Sequence, residues 1–596
     1  MSSPLVLETI DCLLAEDKTI RDPIHGDIVL NVLETAVMDT EIFQRLRRIK
    51  QLGTVNLVFP GAEHSRFQHS LGTLYIADLL LRNISKNNQD LIGQNELYEK
   101  MFSLVVRLAA LLHDLYELPF SHTLEKEGHV FEKQWKDDNL NRMIFGTESQ
   151  LFAAVTKKIE ELTCKVPSKQ KRLSDLEGGK NNSSQNLAAT IVALVYKVLI
   201  ETEEDISGIA LSLFGKEIQT LKIFDDKYLD AAGYIIRNTI CADLLDYLVR
   251  DFYFCGIDKK YDERFLVYST LFLTSDEKTK KSKVVFAYSL EDKRGRIKQS
   301  VLSSLFDVLE LRYSLAEMVH THRVKNSFSA MVIEAFNLHY QSLTKKDERD
   351  ALKKEMMRMG DDELLDYLRK TNPDSKYILD YYYAHHSYHE FVLWDKWQSV
   401  INSLSLSEKG LESLNDAAER LLIERTLVKW INKRLPNGKK LRDGDLLIYV
   451  MPNPEKLWKE LEANVVYMGN NGMRTVSTLE SLSVENVLTP MSPMMSVVVK
   501  RIEGQRKLLQ EKYCNLWRVS LLTSPKIDLK DIDYATIPND ASELISKIFR
   551  FQGLHVRPTE TLGPAVVPDE INKILLKINA DRRSFWTMKE LFEFPV

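Results

Sequence analysis

The sequence predicts a mainly α fold with small β-hairpins and a mixed α+β C-terminal region, and three observations carry that prediction. Apolar residues recur at helical spacing over long stretches: Leu104, Val105, Leu108, Leu111 and Leu112 fall on one face of a helix over 101–112. Short β-branched pieces flank turn residues at 18–34 and again between 265 and 290. Beyond residue 440, the apolar pieces 445–450 and 494–499 read as strands, separated by Pro452, Pro454, Gly469, Gly472 and Pro490.

Size and charge narrow the function. A chain of 596 residues exceeds one small core, so two or three lobes are expected, with a division near residue 400 into 1–400 and 401–596. The 80 basic and 85 acidic residues leave a net charge of −5, which is no global signature of a nucleic-acid partner. No run of about 18 apolar residues occurs, so no membrane span is expected. Residues 1–8 lack the basic segment of a secretory leader. Five scattered cysteines form no CxxC pair, and the expectation is a reducing, cytoplasmic setting.

In chain order, Pro23 and Gly26 punctuate a hairpin over 18–34. Asp39-Thr40 then caps a helix carrying Phe43, Leu46 and Ile49, which Gly53 ends. After the turn at Phe59-Pro60-Gly61 comes an apolar helix over 71–81, with His69 at its start and Arg66 one turn earlier. His69 alone reads as an ordinary hydrogen-bonded, half-buried histidine. The helix over 101–112 delivers the adjacent pair His113-Asp114, and the chain breaks at Pro119 before restarting with His122 and Glu125. An isolated His-Asp dipeptide also fits a helix C-terminal cation beside a carboxylate.

Residues from about 165 to 187 are polar and glycine-containing, as in an exposed insertion. One long helix is expected over 230–254. On it Asp243, Asp246, Tyr247, Arg250 and Asp251 share a face, either a salt-bridged surface or one wall of a charged pocket. Strands are expected at 265–272 and 283–290, followed by a helix carrying Arg312, His320, His322 and Arg323. The run His385-His386-Ser387-Tyr388-His389 reads as an aromatic segment, with adventitious metal binding as the alternative.

Taken together, His69, His113-Asp114 and Asp243 form an H…HD…D pattern. Its surroundings are Asp22-Pro-Ile-His-Gly, Phe43-Gln-Arg-Leu-Arg-Arg-Ile-Lys-Gln-Leu-Gly, Phe59-Pro-Gly-Ala-Glu-His-Ser-Arg-Phe-Gln-His-Ser, Pro119-Phe-Ser-His and Asp243-Leu-Leu-Asp-Tyr. This sequence resembles the HD-domain phosphohydrolases, specifically their deoxynucleoside triphosphate triphosphohydrolase branch, over roughly 18–130 and 229–340. The resemblance implies a helical HD core within 1–400 and a regulatory or oligomerisation role for 401–596.

It implies that His69, His113, Asp114 and Asp243 hold one divalent metal ion, manganese, iron or zinc, with magnesium entering alongside the nucleotide. His122 matches the general acid, Glu125 its orienting carboxylate, and Arg66 the α-phosphate arginine. Gln51, Leu52, Tyr247 and Asp251 match the sugar contacts, Arg312, His322 and Arg323 the phosphate and base contacts, and His320 stands at a further substrate-binding position. Lys18, Asp39, Gln44 and Arg47, with Arg264 and Lys298, match a guanine-nucleotide activator site in a tetrameric homo-oligomer.

Three departures stand out. Tyr116-Glu117 replace a Gly-His pair, so Glu117 takes the place of a catalytic imidazole. Leu244 replaces a phosphate-binding lysine, and His320 a sugar-stacking tyrosine. The expected activity is hydrolysis of a dNTP to deoxynucleoside and inorganic triphosphate, serving dNTP-pool control or antiphage defence. The alternatives are an HD phosphodiesterase or nuclease acting on another nucleotide, and a nucleotide sensor with an impaired site.

Overall fold

A computed structural model describes residues 4–525, apart from 94, 121, 129–137, 165–182, 201, 203, 276–281, 293–295, 396–413, 415, 433–439, 452–460, 469–473 and 485–492. The described residues are mainly helical, with three small sheets among them. Eight helices bear on the site: α1 (Arg66–Asn87), α2 (Glu96–Leu112), α3 (Leu229–Arg237), α4 (Ala242–Phe254), α5 (Gln299–Leu315), α6 (Arg323–Ser342), α7 (Ala417–Asn432) and α8 (Pro493–Leu516).

Local chemistry starts these helices where the site needs them. At the head of α1 the Ser65 backbone N–H donates to Gln68 Oε1 at 2.8 Å, and Arg66 is already helical, earlier than expected. Asn95 caps α2 by accepting from the N–H groups of Leu97 and Tyr98. The apolar face of α2 is buried from Leu97 to Leu112, so the helix drives through the core and its C-terminal end is fixed.

Gly72 explains how α1 and α4 approach so closely. A Cβ built there would stand 1.8 Å from Asp246 Oδ1 and 2.4 Å from Arg250 Nη2, so only a glycine leaves room for those α4 side chains.

The first sheet is the expected hairpin, β1 (Glu16–Asp22) antiparallel to β2 (Gly26–Asn31), with Gly26 at φ 76° in the turn. The second has the order β3-β4-β7-β8. Here β3 (Ser269–Ser275) and β4 (Ser282–Ser289) form a hairpin, and β7 (Asn464–Met468) runs parallel to β4, with β8 (Arg474–Thr478) outside it. The third has the order β5-β9-β6, where β9 (Arg518–Thr523) lies antiparallel between β5 (His389–Asp395) and β6 (Leu446–Val450). Strands from before and after residue 400 therefore share both larger sheets.

Six local expectations are corrected. The single helix over 230–254 is two helices, because Asn238 and Cys241 are extended and β-branched Thr239 and Ile240 lie between them. Residues 494–499 are helical: Pro493 starts α8, and Val498, Ile502, Leu509 and Tyr513 bury one face, so packing overrides the strand preference of the valines. Residues 263–268 form a 3₁₀ turn, which delays the first strand of the 269–289 hairpin. Residues 183–187, the end of the expected insertion, begin a helix, and 165–182 lie outside the described residues. The helix expected after Thr40 is a single turn followed by 3₁₀ geometry. Gly53, at φ 54°, opens a second 3₁₀ turn.

Candidate functional site

Helix ends bring the pattern together. His113 directly follows α2 and Asp114 follows it, His69 lies in the first turn of α1, and Asp243 in the first turn of α4. His69 Nε2 stands 3.1 Å from His113 Nε2 and 3.0 Å from Asp243 Oδ1. His113 Nε2 lies 3.4 Å from Asp114 Oδ1 and 3.8 Å from Asp243 Oδ1, and His69 Nε2 is 3.9 Å from Asp114 Oδ2. His69, His113 and Asp114 can offer one ligand atom each within 4.8 Å of one another.

The residues behind these imidazoles fix which nitrogen faces inward. Asp246 Oδ2 lies 2.8 Å from His69 Nδ1, and the Ala110 carbonyl lies 2.8 Å from His113 Nδ1. Each Nδ1–H is thereby engaged and each Nε2 lone pair is directed at the same point, the arrangement that orients metal-bound histidines. Two such nitrogens at contact distance repel unless a proton or a cation lies between them. Burial opposes charge on His69, yet the hydrogen bonds to Asp243 and Asp246 hold its pKa up at about 10. Burial likewise opposes ionisation of Asp114, but Arg66, His113 and His69 hold its carboxyl far below the usual range. Two imidazole nitrogens with two carboxylates are a donor set that suits a first-row divalent ion.

Asp246 is itself held on every side. Its Oδ1 lies 2.6 Å from His25 Nε2, and Arg250 spans it to Asp22 through bonds of 2.8–3.2 Å. The polar face of α4 is therefore neither solvated nor a surface salt-bridge array: Asp246 and Arg250 are 0% exposed. The hairpin turn of Asp22-Pro-Ile-His-Gly serves as support for the histidine site.

In front of this cluster lies a cavity of about 490 Å³. Its lining includes Gln51, Leu52, Arg66, Asp114, Glu117, His122, Asp243, Tyr247, Asp251, Arg312 and His320. Arg66 Nη1 donates to Asp114 Oδ2 at 2.8 Å and lies 3.8 Å from Glu117 Oε1. Among the described residues, Gln51 Oε1 and Glu117 Oε2 are buried without a hydrogen-bond partner. Asp251 Oδ1 lies 2.8 Å from His64 Nε2, and the His64 ring stacks on Phe254.

His122 heads a five-residue π turn, Thr123–Glu127, in which Glu125 is half-buried and stands outside the cavity lining. The turn is closed by the Gly128 N–H on the Thr123 carbonyl at 2.8 Å, so the chain restarts with π rather than α geometry. Just before it, Phe120 adopts φ 52°, a left-handed conformation for a bulky residue, and its N–H donates to buried Asp361 at 2.8 Å. Tyr116 turns away from the cavity, its hydroxyl donating to Asn141 at 2.7 Å.

Except for His320, the other candidates lie outside the cavity lining. His320 ends a π turn over Ala316–His320, and His322 precedes α6 in extended backbone, packed edge-on against Phe59. The helix expected to carry both is thus broken between them. Arg323 is exposed and reaches Glu390 at 3.4 Å, away from the cavity lining. Lys18 pairs with Asp39 at 3.7 Å, Gln44 Oε1 accepts from Arg47 Nε at 2.7 Å, and the Arg47 guanidinium covers Phe67. Arg264 pairs with its neighbour Asp262, and Lys298 stands at the head of α5. In the histidine-rich run, His385 Nε2 lies 3.0 Å from the Leu57 carbonyl and Tyr388 is buried.

Sequence reasoning missed Lys325, Glu127, Tyr449, Met451, Tyr513 and Trp517 in the cavity wall. It also missed the supporting roles of His25, His64 and Asp246. Asp246, three residues after Asp243 on the same helix face, was the one available signal, since a charge that packs into a core needs partners.

Residues 66–251 match the HD domain family model, and the histidine–aspartate cluster lies within the matched stretch. The chain is 30% identical over 339 residues to the deoxynucleoside triphosphate triphosphohydrolase SAMHD1 of Mus musculus, covering 54% of this chain and 44% of that one. The Homo sapiens protein of the same name is 29% identical over 330 residues, with coverage of 54% and 44%. An uncharacterised protein of Methanocaldococcus jannaschii is 39% identical over 145 residues, covering 24% and 28%. The chain thus spans less than half the length of these curated relatives. No helix among the described residues is long and apolar enough to cross a membrane.

Proposed function

We propose that the protein is a metal-dependent hydrolase that cleaves a dNTP at the α-phosphorus, releasing deoxynucleoside and inorganic triphosphate. The single observation that carries this reading is the facing pair of Nε2 atoms of His69 and His113, 3.1 Å apart, beside a cavity lined by Arg66, Arg312 and His122. A divalent cation held by His69, His113, Asp114 and Asp243 would supply Lewis-acid activation of water and charge neutralisation at the phosphate.

The chain's own residues do the rest. Arg66 and Arg312 meet the phosphates, where guanidinium groups stabilise charge gathered in the transition state. His122, protonated, delivers its proton to the leaving 5′ oxygen, with Glu125 orienting it. Gln51, Tyr247 and Asp251 hold the sugar, the buried unpartnered oxygen of Gln51 accepting from its hydroxyl, while Leu52 lies beside C2′ and disfavours a ribose. Glu117 occupies the cavity near Arg66, where its free carboxylate oxygen accepts a proton from water or holds a second cation, magnesium bound to the nucleotide.

The same reading extends to regulation. Lys18, Asp39, Gln44 and Arg47, with Arg264 and Lys298 as basic partners, receive an activating nucleotide in a homo-tetramer, and the enzyme serves dNTP-pool control or antiphage defence in the cytoplasm. Incubation with each dNTP and NTP, singly and mixed, across manganese, iron, zinc, cobalt and magnesium tests it. Deoxynucleoside and triphosphate as products, lost in His113→Ala, support the reading. Diphosphate or monophosphate products, or no turnover with any mixture, contradict it.

A further inference from the structure

We infer that the C-terminal half of the chain clamps the acid-bearing turn, through Tyr449 and Arg420 acting with Lys325 on Glu127 and Gly128. This inference rests on the reading of His122 as the general acid.

The turn after His122 is a π turn, a geometry with poorer backbone bonding than an α-helix, and it follows the left-handed Phe120. Its near end is tied by Asp361. Its far end is tied by side chains from elsewhere. The Tyr449 hydroxyl, on β6, lies 3.0 Å from Glu127 Oε2 and 3.3 Å from Asn326 Oδ1. Lys325 Nζ, in the first turn of α6, pairs with Glu127 Oε1. Arg420 Nη2, on α7, donates to the Gly128 carbonyl at 2.6 Å. Tyr449, Lys325 and Arg420 are all buried, so solvent does not compete for these bonds.

The clamp has little slack. A Cβ at Gly128 would stand 3.0 Å from the Leu124 carbonyl and 3.1 Å from Ile333 Cγ1, so the end of the turn is pressed onto α6. The two C-terminal elements are also bonded to each other, since Glu424 on α7 accepts from the Ile448 N–H beside Tyr449. Glu127, Lys325 and Tyr449 line the cavity together with His122, which places the clamp in the wall beside the reacting group. The Glu127 side chain is 12% exposed, so these partners hold its carboxylate with little competition from water. Deleting the Tyr449 hydroxyl therefore loosens Glu127 and lets His122 swing from its proton-delivering position. Tyr449, Lys325 and Arg420 are positioning residues.

Tyr449→Phe removes one oxygen and keeps the ring, and Glu127→Gln weakens the same bonds from the other side. Steady-state kinetics of the full chain on a dNTP with manganese, from pH 6 to 10, provide the test, with His122→Ala as reference. We expect both clamp variants to lower kcat about tenfold with KM within about twofold. The alkaline limb of kcat should move to lower pH, because an acid less well held by its carboxylate neighbour loses its proton earlier. Metal content should match the parent. An unchanged kcat, or an equal loss at every pH with KM raised, overturns the clamp while His122→Ala still abolishes the limb. If His122→Ala keeps both the limb and the rate, or the parent turns over no nucleotide, the underlying reading fails and the clamp with it.

Discussion

Asp246 Oδ2 stands 2.8 Å from His69 Nδ1, and through that contact a residue outside the ion pocket decides which nitrogen of His69 enters it. Second partners of this kind commonly tune metal affinity about 10–100-fold. Asp246→Asn is expected to lower metal affinity by about that range, read as metal retained per chain after dialysis against a weak chelator. Metal retention equal to the parent's would remove Asp246 from the site's support.

Gly72 should tolerate no side chain. With a Cβ 1.8 Å from Asp246 Oδ1, Gly72→Ala must separate α1 from α4 or displace the Asp246–Arg250 pair. A loss of about 1–3 kcal/mol is expected from overpacking, measured by urea unfolding, with weakened metal retention alongside it. A variant as stable as its parent would show that this contact relaxes without cost.

Gln51 offers a buried oxygen with no partner among the described residues. If it receives the sugar hydroxyl, Gln51→Ala should lower kcat/KM on a dNTP by about 1–3 kcal/mol, with a smaller effect on an analogue lacking that hydroxyl. Equal losses on both substrates would place Gln51 outside sugar recognition.

Asp361 ties two segments of the site, accepting from the backbone of Lys50 at 2.9 Å and of Phe120 at 2.8 Å. Burial pushes its pKa from 3.8 up to about 6 despite both bonds. A carboxyl raised on folding binds its proton more tightly in the native state, so its contribution is full below pH 3.8 and is lost as the pH climbs through about 6. Relative to the parent, Asp361→Asn should therefore gain stability between about pH 4 and 6 and then level off, by at most about 3 kcal/mol. Urea midpoints across that range check the sign, and a gain that appears only on acidification contradicts it.

What the sequence revealed and what it hid follow from distance along the chain. His113-Asp114 was legible because an amphipathic helix ends there, His69 because it falls near a helix start, and Asp243 because it opens the stretch Asp243-Leu-Leu-Asp-Tyr. The break at 238–241 was hidden because apolar spacing continues across it. Val497–Val499 read as strand because local preference says nothing of the face that Ile502 and Tyr513 bury. Tyr449 in the cavity wall was illegible for the same reason as Glu127: the two are 322 residues apart, and only the packed chain brings them together.

The proposed reaction is attack by water at the α-phosphorus in the cavity beside His69 and His113. Hydrolysis of a dNTP with manganese in ¹⁸O-water, followed by ³¹P NMR and mass spectrometry, shows where the water oxygen goes. The expected products are deoxynucleoside free of label and triphosphate carrying one ¹⁸O on a terminal phosphorus, with neither formed by His113→Ala. Label in the deoxynucleoside, or release of monophosphate or diphosphate, would contradict it.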